Sequence, residues 1–392
     1  MKKIKAGLIG GGFIGVIHAE MLRRLGFVDV VAIAGSNQEK ADTIAAELSI
    51  PTAYGDYKDL IKDRDVDVVH VLTPNKFHFQ MSKDAMEAGK HVICEKPLSM
   101  NSQEAYELVH TAGETGVVNS VCHNMRYYPL VKQAREMVKA GEVGGIRLVH
   151  GNYLQDWLFF DTDYNWRLES ELGGKSRAVA DIGTHWLDMV QHMIGQQVVS
   201  VYADLTIFHP VRKKPKVEVA TYVVQEMKPE DYKDVKIDTE DHGTLMLKFS
   251  GGAKGVLIVC QVCAGRKNHI EWEINGTRRS LQWCGEKPNS MWIGERGKVN
   301  AEFIKNPAIM YPDAGKYAGA PCGLGEGYLD TFKSIFSDVY GWIREGNGMD
   351  EKSVPFPTFL TGLCELSIVD AVLKSAETNK WVDVNYQEKG GY

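Results

Sequence analysis

The stretch "IKAGLIGGGFIGVIHAEMLRRLG", residues 4–26, decides how the chain begins to fold. An apolar run, "IKAGLIG" (4–10), leads directly into Gly10-x-Gly12-x-x-Gly15, and the residues after it carry apolar side chains at helical spacing. A glycine cluster alone says little. Set between a strand and a helix, it is the turn that receives a dinucleotide: Gly10 permits the tight turn, Gly12 admits a pyrophosphate to the backbone, and Gly15 allows close helix–strand contact. The N-terminus of the following helix then presents unpaired N–H groups and a positive dipole end to the phosphates. The same stretch has basic residues before an apolar run, as an export signal does, but glycines break the run and no small-residue cleavage site follows. It is also too short to cross a bilayer.

Working outward, the first third of the chain alternates short β-branched runs with amphipathic segments. "VVAIAG" (30–35), "VDVVHVLT" (66–73), "KHVICE" (90–95) and "VVNSVCH" (117–123) read as buried parallel strands. "GVIHAEMLRRLG", "NQEKADTIAAEL" and "NKFHFQMSKDAMEAGK" read as the intervening helices. Strict alternation implies a parallel sheet with right-handed crossovers. No carboxylate follows the second strand. Gly35 and Ser36 stand where it would meet the ribose hydroxyls, so Ser36, Asn37 and Lys40 are the candidate contacts there. NAD is the expected cofactor, and NADP is left open.

After about residue 125 the texture changes. Helical segments at 130–141 and 183–194 are interleaved with long strands: "RLVHGNYLQDW", "VVSVYADLTIF", "GTLMLKFSGGAKGVLIVCQVC" and "HIEWEINGTRRSLQWC". "SGGA" and "NGT" mark tight turns, so a large, mostly antiparallel sheet is expected. Residues 210–240 are charged and read as a surface excursion with a solvated Lys/Arg block. The fold class is therefore α/β in two parts: a Rossmann domain over residues 1–125, then a substrate-binding and oligomerisation α/β domain over 126–392. A C-terminal helix at about 357–378 is expected to pack back toward the first domain.

The chain has 392 residues, enough for two domains, with 44% hydrophobic and 24% charged residues. A formal charge of −6 argues against nucleic acid as a partner. Seven scattered Cys read as reduced thiols of a cytoplasmic protein. Cys260 and Cys263 form a lone CxxC within a strand-like run; no second pair completes a metal site, and we expect no metal.

Two further stretches carry chemistry. In "VADIGTHWLDMV" (179–190), Asp181 and His185 are four apart and share one face of a helix. They read either as a hydrogen-bonded pair tying a helix to its surroundings or as a catalytic base with its carboxylate. In "GKHVICEKPLS" (89–99), Lys96 lies at the carboxyl end of a strand, where open α/β sheets place ligands, and Pro97 fixes the backbone beside it.

Taken together, "GGGFIG", "TPNKFH" (73–78), "EKP" (95–97), "NMRYYP" (124–129), "DIGTH" (181–185), "TEDHGTLMLKFSGGAKG" (239–255) and "GEGYLDTF" (325–332) span nearly the whole length. In order and spacing the chain resembles the glucose–fructose oxidoreductase / inositol dehydrogenase / MocA family. The resemblance implies an NAD(P)-dependent oxidoreductase that moves hydride between nicotinamide and a secondary hydroxyl of a sugar, glycoside or cyclic polyol. It implies Lys96, Asp181 and His185 as catalytic residues. Gly10, Gly12, Phe13, Ile14, Gly15, Thr73, Pro74, Asn75, His78, Glu95 and Lys96 are implied on the cofactor. "GNYLQDW" (151–157) and "NWRLE" (165–169) look most similar to pyranoside 3-dehydrogenases, which places Gln155, Asp156, Trp166 and Arg167 on the substrate, possible oxidation being at C3 of a pyranoside. Arg126, Tyr128 and Tyr328 are further substrate candidates, each tyrosine reading equally well as core packing. One departure stands out: Leu324, in "GLGEGY", replaces a histidine that such relatives carry.

The expected chemistry follows. An imidazole, which titrates near pH ~6.5 when unperturbed, takes the hydroxyl proton at His185. Asp181 orients the ring, and the Lys96 ammonium favours negative charge on the reacting oxygen. Two other readings use the same residues: an NAD-retaining glycosidase working by transient C3 oxidation and elimination, and a non-catalytic cofactor-binding regulator. The family's open sheet forms subunit contacts, so a homodimer or homotetramer is expected, with no nucleic-acid or membrane partner.

Overall fold

A computed structural model describes residues 3–217 and 228–386, and the chain forms two compact units. The first comprises residues 1–127 and 328–366; the second comprises 128–327 and 367–392.

In the first unit, strands β1 (Ile4–Ile9), β2 (Val28–Ala34), β3 (Thr52–Tyr54), β4 (Val68–Val71), β5 (His91–Cys94) and β6 (Asn119–Val121) alternate with helices. The helices are α1 (Phe13–Arg23), α2 (Gln38–Glu47), α3 (Tyr57–Lys62), α4 (His78–Glu87) and α5 (Ser102–Thr115). The strand order β3-β2-β1-β4-β5-β6 is parallel throughout, the doubly wound arrangement. β4 is buried along its whole length, because helices cover both faces of such a sheet. The strand order reverses between β1 and β4. Their carboxyl ends deliver Gly10 and Thr73 side by side, the Cβ position of Gly10 lying 3.0 Å from the Leu72 carbonyl oxygen. β3 and the short α3 are additions to the alternation read from sequence.

The second unit opens with α6 (Pro129–Lys139) and β7 (Ile146–Leu154), followed by α7 (Ser170–Gly173) and α8 (Thr184–Ile194). Next come β8 (Val198–Thr206), β9 (Val211–Pro215), β10 (Tyr232–Lys236), β11 (His242–Phe249) and β12 (Lys254–Cys260). β13 (His269–Gly276), β14 (Ser280–Cys284), β15 (Ser290–Gly294), β16 (Ala301–Ile304) and the short α9 (Pro312–Gly315) follow. α10 (Tyr328–Arg344) belongs to the first unit. α11 (Phe359–Thr378) is divided between the two, and β17 (Val382–Asp383) belongs to the second. Nine strands form one sheet in the order β16-β15-β14-β13-β7-β12-β11-β8-β17, antiparallel except for the β12–β7 pair.

Helix α8 is locked to one face of this sheet. The Trp186 indole N–H donates to the Glu271 carbonyl at 2.8 Å. A Cβ at Gly151 would stand 2.6 Å from that indole nitrogen and 2.0 Å from the same carbonyl oxygen, so the glycine in β7 makes room for the contact. The neighbouring His185 is thereby held at one height above the sheet.

The charged stretch 210–240 corrects the sequence reading. β9 and β10 pair as an antiparallel ribbon, and Arg212, expected in a solvated block, is fully buried. The reason is electrostatic: its guanidinium donates to the buried Asp241 carboxylate at 2.9 Å. The part of that stretch at 218–227 lies outside the described residues.

Candidate active site

In the first unit the glycine turn has the shape expected of a phosphate cradle. Gly10 has φ +105°, a backbone that side chains disfavour. A Cβ at Gly15 would lie 2.6 Å from the Gly10 carbonyl oxygen, whereas one at Gly12 would meet no atom within 4 Å. Gly12 caps α1 with no side-chain hydrogen bond, so the first-turn N–H groups open onto that space. A pyrophosphate fits this cradle on charge and on room. Phe13 is 53% exposed beside it, and Ile14 follows in the first turn of α1. At the end of β2, the Asn37 side-chain oxygen is engaged as the cap of α2, accepting from the Lys40 amide at 2.8 Å. Ser36 precedes it.

The loop after β4 is tied to the turn after β5. The ring nitrogens of His78, 1% exposed, lie 2.7 Å from the Thr73 carbonyl oxygen and 2.8 Å from that of Pro97. His78 therefore acts as a strut between the Thr73–Pro74–Asn75 segment and the Lys96–Pro97 turn, whose peptide is cis. Asn75 is itself buried.

Glu95 stands at the head of a buried relay. Its Oε2 accepts from the Lys96 amide at 3.2 Å, and its Oε1 lies 3.1 Å from His18 Nε2. His18 Nδ1 meets His70 Nδ1 at 2.8 Å, and His70 Nε2 meets the Tyr340 hydroxyl at 2.8 Å. The donors can be assigned. Tyr340 is fully buried, and among the described residues its hydroxyl pairs with His70. If His70 donated to Tyr340, the phenolic hydrogen would be stranded, which costs about 1–3 kcal/mol. Tyr340 therefore donates to His70, His70 Nδ1–H donates to His18, and His18 Nε2–H donates to Glu95. Burial and the neighbouring His18 hold His70 well below the usual imidazole pKa, in keeping with a neutral ring. Burial pushes the Glu95 carboxyl up, but His18, Lys96 and the Cys122 thiol outweigh it and leave the group below its ordinary value. Each donor of the relay thus faces the next acceptor, and the chain ends on one carboxylate next to Lys96. Arg126 lies buried in the short helical turn Asn124–Tyr127. Tyr328 begins α10 with its ring edge-on to Phe332, 5.2 Å between centroids.

In the second unit the segment Val179–Gly183 is a π-helical turn running into α8. Such widened turns recur at functional sites. Asp181 is carried on it, and His185, 4% exposed, follows in the first turn of α8. Asp181 Oδ1 accepts from Arg167 Nε at 3.2 Å, and its Oδ2 accepts from Gln261 Nε2 at 2.8 Å. Arg167 also donates to the Asn165 side chain at 3.2 Å and stacks over the Trp166 ring at 4.4 Å. The Tyr153 ring lies 6.4 Å from that of His185.

Behind Asp181 runs a buried ionic network. Gln261 Oε1 accepts from Arg177 Nη1 at 2.8 Å, and both Arg177 and Arg212 donate to Asp241 Oδ1. The Phe208 and His209 amides donate to Asp241 Oδ2 at 2.7 and 3.0 Å. Ser176 and the amides of Arg177 and Val179 all donate to Glu240 Oε1, which fixes the start of the π turn. The "TED" of the sequence motif is thus the anchor of the segment that bears Asp181.

The substrate candidates separate by environment. Gln155 Nε2 donates to the Asn268 side-chain oxygen at 3.0 Å, where the Tyr153 hydroxyl also donates at 2.6 Å. The Trp157 indole donates to Gln155 Oε1 at 2.9 Å. Asp156 instead holds a turn, accepting from the Gly265 amide at 3.0 Å and from Lys267 Nζ at 2.6 Å. Tyr128 is 2% exposed and packs on Trp283 at 4.9 Å between ring centroids, in the core of its unit. Leu324 is 59% exposed on a loop whose Ala320 and Leu324 carbonyls accept from the buried Lys305 ammonium at 3.2 and 3.0 Å. His18, His70, Tyr340, Arg177, Gln261 and Asn268 are the polar residues that sequence reasoning missed. Only the histidine in "VIHAEML" and the motif "TED" gave a local signal.

Comparison with known proteins places this geometry. Residues 4–123 match the oxidoreductase family with an NAD-binding Rossmann fold, and residues 131–282 match the GFO/IDH/MocA C-terminal domain. Levoglucosan dehydrogenase of Pseudarthrobacter phenanthrenivorans is 30% identical over 98% of this chain and 99% of its own. Levoglucosan dehydrogenase in complex with NADH and levoglucosan superposes with a TM-score of 0.86 at 28% identity, covering 98% of this chain and 100% of that one. An oxidoreductase domain protein from Kribbella flavida gives a TM-score of 0.87 at 28% identity, over 98% and 100% of the two chains. With both domains matched in order and the glycine turn intact, the chain belongs to the GFO/IDH/MocA family of oxidoreductases, built on an NAD-binding Rossmann fold.

Proposed function

We propose that this protein is an NAD-dependent dehydrogenase that oxidises a secondary hydroxyl of a sugar, glycoside or cyclic polyol. The observation that carries the reading is Asp181, fixed through both oxygens by Arg167 and Gln261 one turn before the buried His185. The end-to-end likeness to levoglucosan dehydrogenase supports it.

The Gly10–Gly15 turn would hold the cofactor pyrophosphate, Ser36 and Lys40 the adenosine ribose, and Thr73–Pro74–Asn75 the region of the nicotinamide ribose. When bound, the nicotinamide supplies the hydride acceptor. The protein supplies the proton path and the orientation. His185 takes the hydroxyl proton of the substrate, and Asp181 stabilises the imidazolium that results. Lys96 donates a hydrogen bond to the same hydroxyl oxygen as negative charge develops on it. Gln155, Trp166 and Arg167 orient the sugar ring. In the reverse direction His185 returns the proton. The exposed apolar residues Leu148, Met246 and Ile258 on neighbouring strands β7, β11 and β12 favour a covered sheet, and we propose a homodimer or homotetramer through it.

A spectrophotometric screen of free sugars and glycosides with NAD and NADP tests the reading. Reduced nicotinamide should accumulate with at least one pyranoside or polyol. Release of an aglycone with no net reduction would instead select the glycosidase reading.

A further inference from the structure

On β13 and β14, next to Asn268 and built from side chains given no role above, a second polar cluster converges on one point. Glu271 and Cys284 are directly opposed across the two strands, and His269 lies two residues before Glu271 on the same sheet face. His269 Nδ1 lies 2.8 Å from Glu286 Oε2 and 3.6 Å from the free thiol of Cys284. One ligand atom from each of His269, Cys284 and Glu286 falls within 4.8 Å of the others. On its other side, His269 Nε2 lies 3.1 Å from Glu271 Oε2, and the opposite oxygen of Glu271 accepts from Gln282 Nε2 at 3.0 Å.

We propose that His269 Nδ1, Cys284 Sγ and the Glu286 carboxylate form a binding site for a divalent transition-metal ion of the zinc class. Three features support it. The donor set of imidazole, thiolate and carboxylate is the one zinc takes, with a fourth position left to water. Zinc–sulfur and zinc–nitrogen bonds at a tetrahedral angle put the two ligand atoms about 3.6 Å apart, the separation between Cys284 Sγ and His269 Nδ1. The carboxylate must retreat by about half an ångström to reach its own tetrahedral position, which the partly exposed Glu286 side chain can do. Finally, Glu271 is already in place on the far ring nitrogen. A carboxylate there fixes the tautomer, leaving Nδ1 as the ligand, and is itself fixed by Gln282.

The Arg266 guanidinium also contacts His269 Nδ1, at 3.3 Å. Its side chain is exposed, so metal binding at Nδ1 would displace it into solvent. Burial, with Glu271 and Glu286 nearby, pushes the Cys284 thiol up, and a bound cation reverses this by displacing the thiol proton. Glu286 Oε1 also accepts from the Asn268 amide at 3.3 Å, so the ion staples the ends of β13 and β14 beside that residue.

Cobalt(II) added to the full chain is the probe. One equivalent should bind with a thiolate-to-cobalt charge-transfer band and the intense visible bands of a four-coordinate ion, and zinc should displace it. Cys284→Ser should abolish the charge-transfer band. Glu271→Gln should keep the band but weaken affinity about tenfold or more. Arg266→Ala should leave the band or strengthen binding. Absence of the band in the unaltered protein, or an undiminished band in Cys284→Ser, would overturn the assignment. Circular dichroism of each variant separates loss of the site from loss of the fold. A Cys284→Ser protein that does not fold transfers the test to Glu286→Gln, which must then bind cobalt at least tenfold more weakly.

Discussion

Replacing Gly12 by alanine separates binding from folding. The backbone there, φ −70° and ψ −168°, is extended and open to alanine. The new methyl group meets no atom of the chain within 4 Å. Two small terms oppose one another. Alanine restricts the unfolded chain and stabilises by about 0.4–1 kcal/mol, while it is a poorer N-cap than glycine by about 0.5–1 kcal/mol. The net change is within about 0.5 kcal/mol, so the melting temperature should move by about 2 °C or less. Affinity behaves differently, because the methyl projects into the space where the pyrophosphate meets the backbone. NADH affinity should fall at least tenfold, about 1.4 kcal/mol. Gly15→Ala makes the contrast, since its Cβ would be 2.6 Å from the Gly10 carbonyl oxygen. It must force helix and strand apart, at a cost of about 1–3 kcal/mol. Fluorescence titration with NADH and thermal unfolding read the two quantities. An unchanged dissociation constant for Gly12→Ala would refute the assignment of this turn to the cofactor.

Other outcomes follow from the same structure. Lys96→Ala and His185→Ala should each retain NADH binding and lose turnover by ~100-fold or more, so near-normal turnover in either removes that residue from the mechanism. Tyr340→Phe deprives His70 of its donor and should destabilise the protein by about 1–3 kcal/mol, read by denaturant unfolding; an unchanged midpoint would contradict the relay. Asp241 gives a pH prediction. Burial would raise its carboxyl, but Arg177, the His209 amide and Arg212 hold it below the usual carboxylate value. Its contribution is therefore complete above the unfolded pKa near ~3.9 and is lost as pH falls through the lower folded value. Asp241→Asn should cost about 3–5 kcal/mol at neutral pH and flatten the decline of stability below about pH 4. A decline as steep as that of the unaltered protein would argue against the pairing.

The parts of the fold legible in the sequence were those set by local periodicity. β1, β2, β4 and β5 are short apolar runs between amphipathic helices, and the glycine turn falls where strand gives way to helix. β3 escaped because three half-buried residues carry no period. The 210–240 stretch misled because charge normally marks solvent; the acid that buries Arg212 lies 29 residues away. The site shows the same divide. Asp181 and His185 are neighbours on one short segment, so their shared face could be read from spacing, while their proposed role rests on the family resemblance. Their supports could not, since Gln261 reaches Asp181 from 80 residues away and Tyr340 reaches His70 from 270. The start of the π turn at 179–183 is anchored by hydrogen bonds to Glu240, again a distant residue.

The most direct test of the proposed chemistry follows the hydrogen itself. A pyranoside or polyol that serves as substrate, deuterated at a carbon bearing a secondary hydroxyl, is incubated with NAD and the protein, and the products are read by NMR. The account predicts deuterium on C4 of the reduced nicotinamide and a carbonyl at the labelled carbon when the label marks the site of oxidation. Deuterium retained in the sugar at every ring position, or released only to water, would contradict it.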